Sequence, residues 1–120
     1  AAGVKNPAGH VVDGVSLLTQ LSGKANPERP DHFMCHFPHS HRSSYFTAFR
    51  KGDWKLIYRY KGKNKYELYD LGKDPFEKSN LAESEPKKLK EMVKSMAARL
   101  EMEDALYPTD GDKELKPLMP

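Results

Sequence analysis

The sequence predicts an α+β module: a small four-stranded antiparallel sheet packed by a C-terminal α-helix, with an irregular N-terminal segment. Three observations predict it. Residues 32–71 hold successive runs of period-2 alternation with short turns between them, an apolar stripe of helical period follows at 89–100, and the first 31 residues are broken repeatedly by Gly and Pro.

Taken in order, residues 1–31 carry Gly3, Pro7, Gly9, Gly14, Gly23, Pro27 and Pro30, the strongest local punctuators of backbone structure. Only Val15–Leu21 is apolar enough for a short helical turn, with Asp13 as its expected N-cap. So long an irregular stretch is uncommon inside a compact domain, so it reads as an extended junction with a domain absent from this chain. At His32 the pattern changes. His32–Phe37 alternates ring and sulfur side chains, a first strand at the edge of the sheet, and Pro38 is expected to stop it in a polar loop over 38–43. Tyr45–Arg50 is the second strand. Gly52 supplies a residue for which a left-handed turn is cheap, and Trp54–Tyr60 follows as the third strand. In that strand Trp54, Leu56, Tyr58 and Tyr60 share one face, with Lys55, Ile57 and Arg59 on the other. Gly62 and Asn64 turn the chain into the fourth strand, Tyr66–Leu71, which Gly72-Lys73-Asp74-Pro75 closes.

Ser84 is the expected N-cap of the helix and Pro86 falls in its first turn. Leu89, Met92, Val93, Met96, Ala97 and Leu100 then step along one helical face. Buried on the sheet, that stripe contributes on the order of 8–10 kcal/mol before ordering entropy. The chain therefore divides into 1–31, an α+β unit at 32–107 and an irregular tail at 108–120.

Composition narrows the function classes. Leu, Ile, Val and Phe are only 23 of 120 residues, a lean core for a net charge of +3, and a chain this size buries about two thirds of its surface. Such a module is expected to finish its burial against something else. No apolar run is long enough to span a membrane. Residues 1–60 hold eight Lys/Arg and four Asp/Glu, 61–120 twelve and thirteen. The lysines are interleaved with acids, which speaks against a nucleic-acid partner.

Chemistry-bearing residues concentrate at Cys35-His36-Phe37-Pro38-His39-Ser40-His41-Arg42. Cys and His suit zinc, yet Cys35 and His36, adjacent in a strand, point to opposite faces and no fourth ligand is evident, so no metal site is assigned. The open readings are polar loop residues at a surface or domain interface, and a substrate-contacting loop of His39, His41 and Arg42 suited to an anionic ligand. Cys35 inside a strand is no candidate nucleophile, the nearby serines define no triad, and no phosphate loop is present. No catalytic residue is assigned. On residues alone, a stand-alone binding module for an acidic ligand or protein partner remains an alternative.

Several segments resemble the sulfatase family (arylsulfatase-like, within the alkaline-phosphatase-like superfamily), specifically its C-terminal subdomain. Phe49-Arg50-Lys51-Gly52-Asp53-Trp54-Lys55-Leu56-Ile57-Tyr58 resembles the family's R-x-G-x-W-K-L-I. Glu67–Ala82 is similar to ELYDL-x-x-DP-x-E-x-x-NLA, and His36-Phe37-Pro38-His39 to H-x-P-H. Asp13–Leu18 resembles DG-x-SL-x-P, with Thr19-Gln20 where proline is common. These pieces occur in family order over roughly residues 1–100. The resemblance implies a parent that hydrolyses sulfate esters of a small molecule or glycan, in a periplasmic, secreted or lysosomal setting, with this chain packed on its own N-terminal catalytic domain and walling the substrate cleft. It also implies a calcium ion and a formylglycine, made from Cys or Ser in C/S-x-P-x-R, in that catalytic domain. Cys35, followed by His36-Phe37-Pro38-His39, does not match that motif, so no cofactor is assigned to this chain. A phosphoester or phosphonate hydrolase of the wider superfamily is the neighbouring alternative.

Overall fold

The computed structural model describes residues 7–10, 12, 14–41 and 43–120, the side chains of 41, 43 and 44 excepted. Two compact units divide the chain, Ala1–Asp31 and His32–Pro120. In the first, the apolar stretch makes one helical turn, α1 (Leu18–Leu21), which Ser22 Oγ closes by donating to Leu18 O at 2.9 Å. Leu17 holds the N-cap position without a side-chain bond; Asp13, expected there, lies outside the described residues. Asn26 Nδ2 donates to Ser16 O at 2.9 Å and ties the following loop to the start of the turn.

The second unit is a sheet of four antiparallel strands in sequence order, β1 (His32–His41), β2 (Ser43–Lys51), β3 (Trp54–Arg59) and β4 (Tyr66–Asp70). The helix α2 (Pro86–Met102) follows, then a short ladder of β5 (Thr109–Asp110) and β6 (Lys113–Glu114). This is the α+β architecture that the alternation and the helical stripe predict.

Register assigns each side chain to a face. His36, Thr47, Tyr58 and Tyr66 form one row, and Met34, Phe49, Leu56 and Leu68 the next. Against them α2 lays Leu89, Met92, Val93, Met96 and Leu100, of which the last three are fully buried, as are Leu56 and Leu68. The helix begins differently from expectation: Glu85 is the N-cap, and Ser84 Oγ instead donates to Leu81 O at 3.3 Å. Pro86 explains why this is tolerated, since it occupies the first turn and brings no N–H needing a cap.

Where a polar loop is expected over 38–43, residues 38–41 and Ser43 are instead strand. β1 runs through Pro38 to His41, and pairing resumes beyond Phe37↔Phe46 as Ser40↔Ser44 and His41↔Ser43, with a shift in register between. Pro38 and His39 thus oppose Tyr45 alone, a β-bulge in which Tyr45 takes a left-handed backbone (φ 57°). An edge strand at a bulge is the place where a residue lacking an N–H costs no ladder bond.

Polar groups reaching the core face are satisfied by one another. His36 Nε2 lies 2.6 Å from Leu106 O, which can only accept, so Nε2 carries the proton and Nδ1 accepts from Thr47 Oγ1 at 2.8 Å. Thr47, itself fully buried, then accepts from Tyr60 OH at 2.8 Å. This directed chain ties β1 and β2 to the segment after α2. That segment lies along the same face: Tyr107 and Leu115 pack on the core, Tyr66 OH donates to Leu118 O at 2.9 Å, and Leu118 N donates to Tyr58 OH at 3.1 Å. The stretch 108–120, expected to be irregular, contains the β5–β6 hairpin and is pinned by two phenols.

The segment after β4 is organised by its own side chains. Asn80 Oδ1 accepts from Leu68 N and Ala82 N, both at 3.0 Å, while Leu81 N donates to Leu68 O at 2.8 Å. Asn80-Leu81 thereby closes the outer edge of β4. Asp70 Oδ1 accepts from Gly72 N at 3.1 Å, Asp74 Oδ2 from Ser79 N at 2.8 Å, and Leu71 N donates to Asp53 O at 2.7 Å. A Cβ on Gly72 would sit 3.1 Å from Asp53 Oδ2 and 3.3 Å from Asp70 Oδ1, a tight fit that would require these carboxylates to give by a few tenths of an ångström.

Three variants test this packing. Met92→Asp places an unpaired carboxylate among apolar side chains, a cost of several kcal/mol, and should lower the thermal midpoint by more than about 10 °C; an unchanged midpoint in a circular-dichroism melt would show that α2 does not dock. Burial pushes the Tyr60 hydroxyl well above the ordinary tyrosine value. The neutral phenol is favoured on folding, so its contribution is complete below about pH 10 and is lost as pH rises from there through the folded value. Urea titrations of Tyr60→Phe should therefore show a shallower alkaline loss of stability than the parent chain, and Thr47→Val, which strands the hydroxyl of Tyr60 and Nδ1 of His36, should cost about 1–3 kcal/mol at neutral pH.

Candidate functional site

Between Asp31 and Asp53 the chain carries no Asp or Glu, while it holds His32, His36, His39, His41, Arg42, Arg50 and Lys51. β1 and β2 fold this acid-free stretch into one hairpin. β3 pairs with β2 only up to Phe46↔Arg59, with one further bond from Tyr60 N to Tyr45 O at 2.8 Å. At about 3.3 Å per residue, the end of the hairpin reaches roughly 10 Å past its last partner on β3.

Three aromatic rings hold the base of this tip. Phe37 stacks on Phe46 with ring centres 5.8 Å apart, and His39 meets Phe37 edge-on at 5.9 Å. Beside them Lys61 Nζ sits 4.3 Å over the Tyr45 ring, adding a cation next to the bulge. Of the three residues expected to meet an anionic ligand, His39 is exposed on the bulge and His41 ends β1. The side chain of His41, and Arg42 altogether, lie outside the described residues. The hairpin brings His39 and His41 to one end of the sheet by backbone pairing. His36, four residues earlier in the same cluster, is not among them: its ring turns to the core face and is consumed by Thr47 and Leu106. The signal that could have separated it from His39 is parity, since His32, Met34 and His36 share a face.

The face of the sheet turned away from α2 is the second surface of interest. Its rows are Phe33–Arg50–Lys55–Tyr69, Cys35–Ala48–Ile57–Glu67 and Phe37–Phe46–Arg59. Two of the cations on it are paired internally: Lys55 Nζ bonds both carboxylate oxygens of Glu77, at 2.6 and 2.7 Å, and Arg59 Nε donates to Glu67 Oε1 at 2.7 Å. Tyr69 donates to Glu67 Oε2 at 3.1 Å; burial, and then this carboxylate, push its hydroxyl up from the ordinary tyrosine value. Phe33 and Cys35 are exposed on this face.

A recess of about 260 Å³ lies between the β1–β2 end and the C-terminal half of α2, with Lys51 and Arg99 on its rim. Glu103 pairs with Arg99 there. Among the described residues no group of three or more His, Cys, Asp or Glu could hold a metal ion, and no helix is long and apolar enough to cross a membrane. Calcium needs several converging oxygen ligands, and formylglycine needs a Cys or Ser in its own motif; Cys35, flanked by His36 and Phe37 in mid-strand, fits neither. No step of a reaction is assigned to these residues.

Comparison with known proteins places this fold. Two solved structures match 85% of this chain with a TM-score of 0.65 each: BT4656 in complex with its substrate D-glucosamine-2-N,6-O-disulfate, at 24% identity, and BT1596, a 2-O GAG sulfatase, at 26%. A third, from Bacteroides thetaiotaomicron, matches 96% of the chain at 23% identity and a TM-score of 0.64. The chain spans 22% of the first two and 27% of the third. The model of the family described as N-sulphoglucosamine sulphohydrolase, C-terminal, matches residues 1–105. With its four-stranded sheet, its single covering helix and its self-bonded Asp70–Ala82 loop, the chain belongs to this family of sulfatase C-terminal domains.

Proposed function

We propose that this chain packs on the catalytic domain of a sulfuric ester hydrolase and that the β1–β2 hairpin tip, through His39, His41 and Arg42, walls the substrate cleft and selects the sulfated substrate. The observation that carries the reading is the projecting, acid-free hairpin. Imidazolium and guanidinium groups there would donate charge-assisted hydrogen bonds to sulfate oxygens, with no carboxylate in the hairpin to compete for them. In this reading residues 1–31 join the chain to the catalytic domain, 32–107 form the subdomain, and 108–120 brace its sheet. Substrates named for the structural relatives, a sulfated glucosamine and a glycosaminoglycan, make a sulfated glycan the favoured class.

The bond-breaking chemistry, with the calcium ion and formylglycine of the family, belongs in this reading to the catalytic domain. The hairpin's part is to bind and orient. Interactions of that kind are made alike in the ground and transition states, so their loss appears in KM more than in kcat.

The test is the triple variant His39→Ala, His41→Ala, Arg42→Ala in the full-length enzyme. Its kcat/KM on a sulfated saccharide should fall by about 10- to 100-fold, mostly through KM, the loss of one or two charge-assisted bonds. Turnover of a small aryl sulfate too short to reach the tip should hold. Unchanged kcat/KM on the saccharide would refute the assignment.

A further inference from the structure

The sheet is covered on one face only. α2 and the strap of residues 105–118 occupy the face of Leu56 and Leu68, and among the described residues of this unit no helix packs on the other. That other face is unusually apolar for a solvated surface. Phe33 is 68% exposed there, the Phe37–Phe46 stack stands half-buried beside Ala48 and Ile57, and Cys35 is open. Two of its cations are pre-paired, as Lys55–Glu77 and Arg59–Glu67, so covering these would leave neither without a partner, while Arg50, exposed in the outer row, donates to Gly52 O at 3.0 Å. Aromatic residues in the centre with most of the charges already matched are the composition of a surface that is buried in use.

We infer that this face is the docking surface for the rest of the same polypeptide, the sulfatase catalytic domain, with Phe33, Phe37, Phe46 and Ile57 as the apolar contacts. The inference rests on the reading that the chain is one part of a sulfatase, and it adds which side of the sheet does the packing. The length of the solved relatives favours this occupant over a second copy: with this chain covering 22% to 27% of theirs, most of each related protein lies outside the matched region. The Lys55–Glu77 and Arg59–Glu67 pairs favour it too, since they leave Arg50 as the one cation of these rows without an ion pair among the described residues, little for a strongly charged ligand to neutralise.

Cys35, in the middle row of this face, is a built-in reporter. In the full-length protein carrying Lys90→Cys, at an exposed position on α2, peptide-resolved alkylation with iodoacetamide compares both thiols in one molecule. The docked face predicts that Cys35 reacts at least about 100-fold more slowly than Cys introduced at 90, a ratio equivalent to about 2.7 kcal/mol of protection. Phe33→Ala should also lower the thermal midpoint of the full-length protein by more than about 3 °C, whereas loss of a solvent-exposed ring would leave it within about 1 °C. Equal labelling of the two thiols in an active sulfatase would overturn the assigned face and leave the family reading standing. Protection lost on dilution would place a second copy there and overturn the occupant. A full-length protein with no sulfuric ester hydrolysis and no catalytic region would remove the underlying reading, and the inference with it.

Discussion

One burial event supports everything else in this module: the closure of α2 over the rows of Leu56 and Leu68. A chain with so few aliphatic and phenyl side chains can complete one apolar layer and no more. Met92, Val93, Met96 and Leu100 spend nearly all of the helix's apolar surface on that layer. The consequence is an inherent asymmetry, a sheet whose two faces have different fates. Polar side chains that reach the closed face, His36 and Thr47 among them, have to satisfy one another because no water is available there. Those on the open face arrange themselves into ion pairs at the rim of an aromatic strip.

The segments that carry the family resemblance are for the most part architecture. Asp70, Gly72, Asp74 and Asn80 spend their hydrogen bonds on one another's backbone and on the edge of β4. Gly52 takes the left-handed turn between β2 and β3, and Trp54 and Leu56 fill the closed face. An exposed sheet edge invites pairing with another chain; here the Asn80-Leu81 stretch blunts β4 with side-chain and backbone bonds instead of a fifth strand. A motif of this kind identifies the fold. At the tip of the histidine-rich hairpin, by contrast, the described polar side chain of His39 meets only Phe37, edge to face.

Much of this was legible in the order of residues because the relevant forces are local. Alternation placed Trp54, Leu56 and Tyr58 together, and a period of 3.6 marked the buried stripe of α2 in full. Where reading failed, distant partners decided the outcome. Pro38 and three polar neighbours read as a loop, but pairing with Ser43 and Ser44 across the turn, and the tolerance of an edge strand for a bulge, kept them in the sheet. Ser84 looked the better cap until Pro86 removed the need for one. Leu118 shows no local pattern at all, because its partners Tyr58 and Tyr66 lie 60 and 52 residues away. For the candidate site, His39 and His41 were singled out by residue type, and pairing brings them to one end of the sheet, whereas His36, read only as a strand residue facing away from Cys35, bonds Thr47 and Leu106.

The bulge at Pro38–His39 has a consequence for variation among related sequences. Beyond it Ser40, the one residue there whose side chain is described, is exposed and lies outside the buried layer. Substituting it is thermodynamically cheap, whereas a methyl group added at Gly72 would require a neighbouring carboxylate to give by a few tenths of an ångström. A fold built this way tolerates change at the outer end of the hairpin before it tolerates change at its foundation.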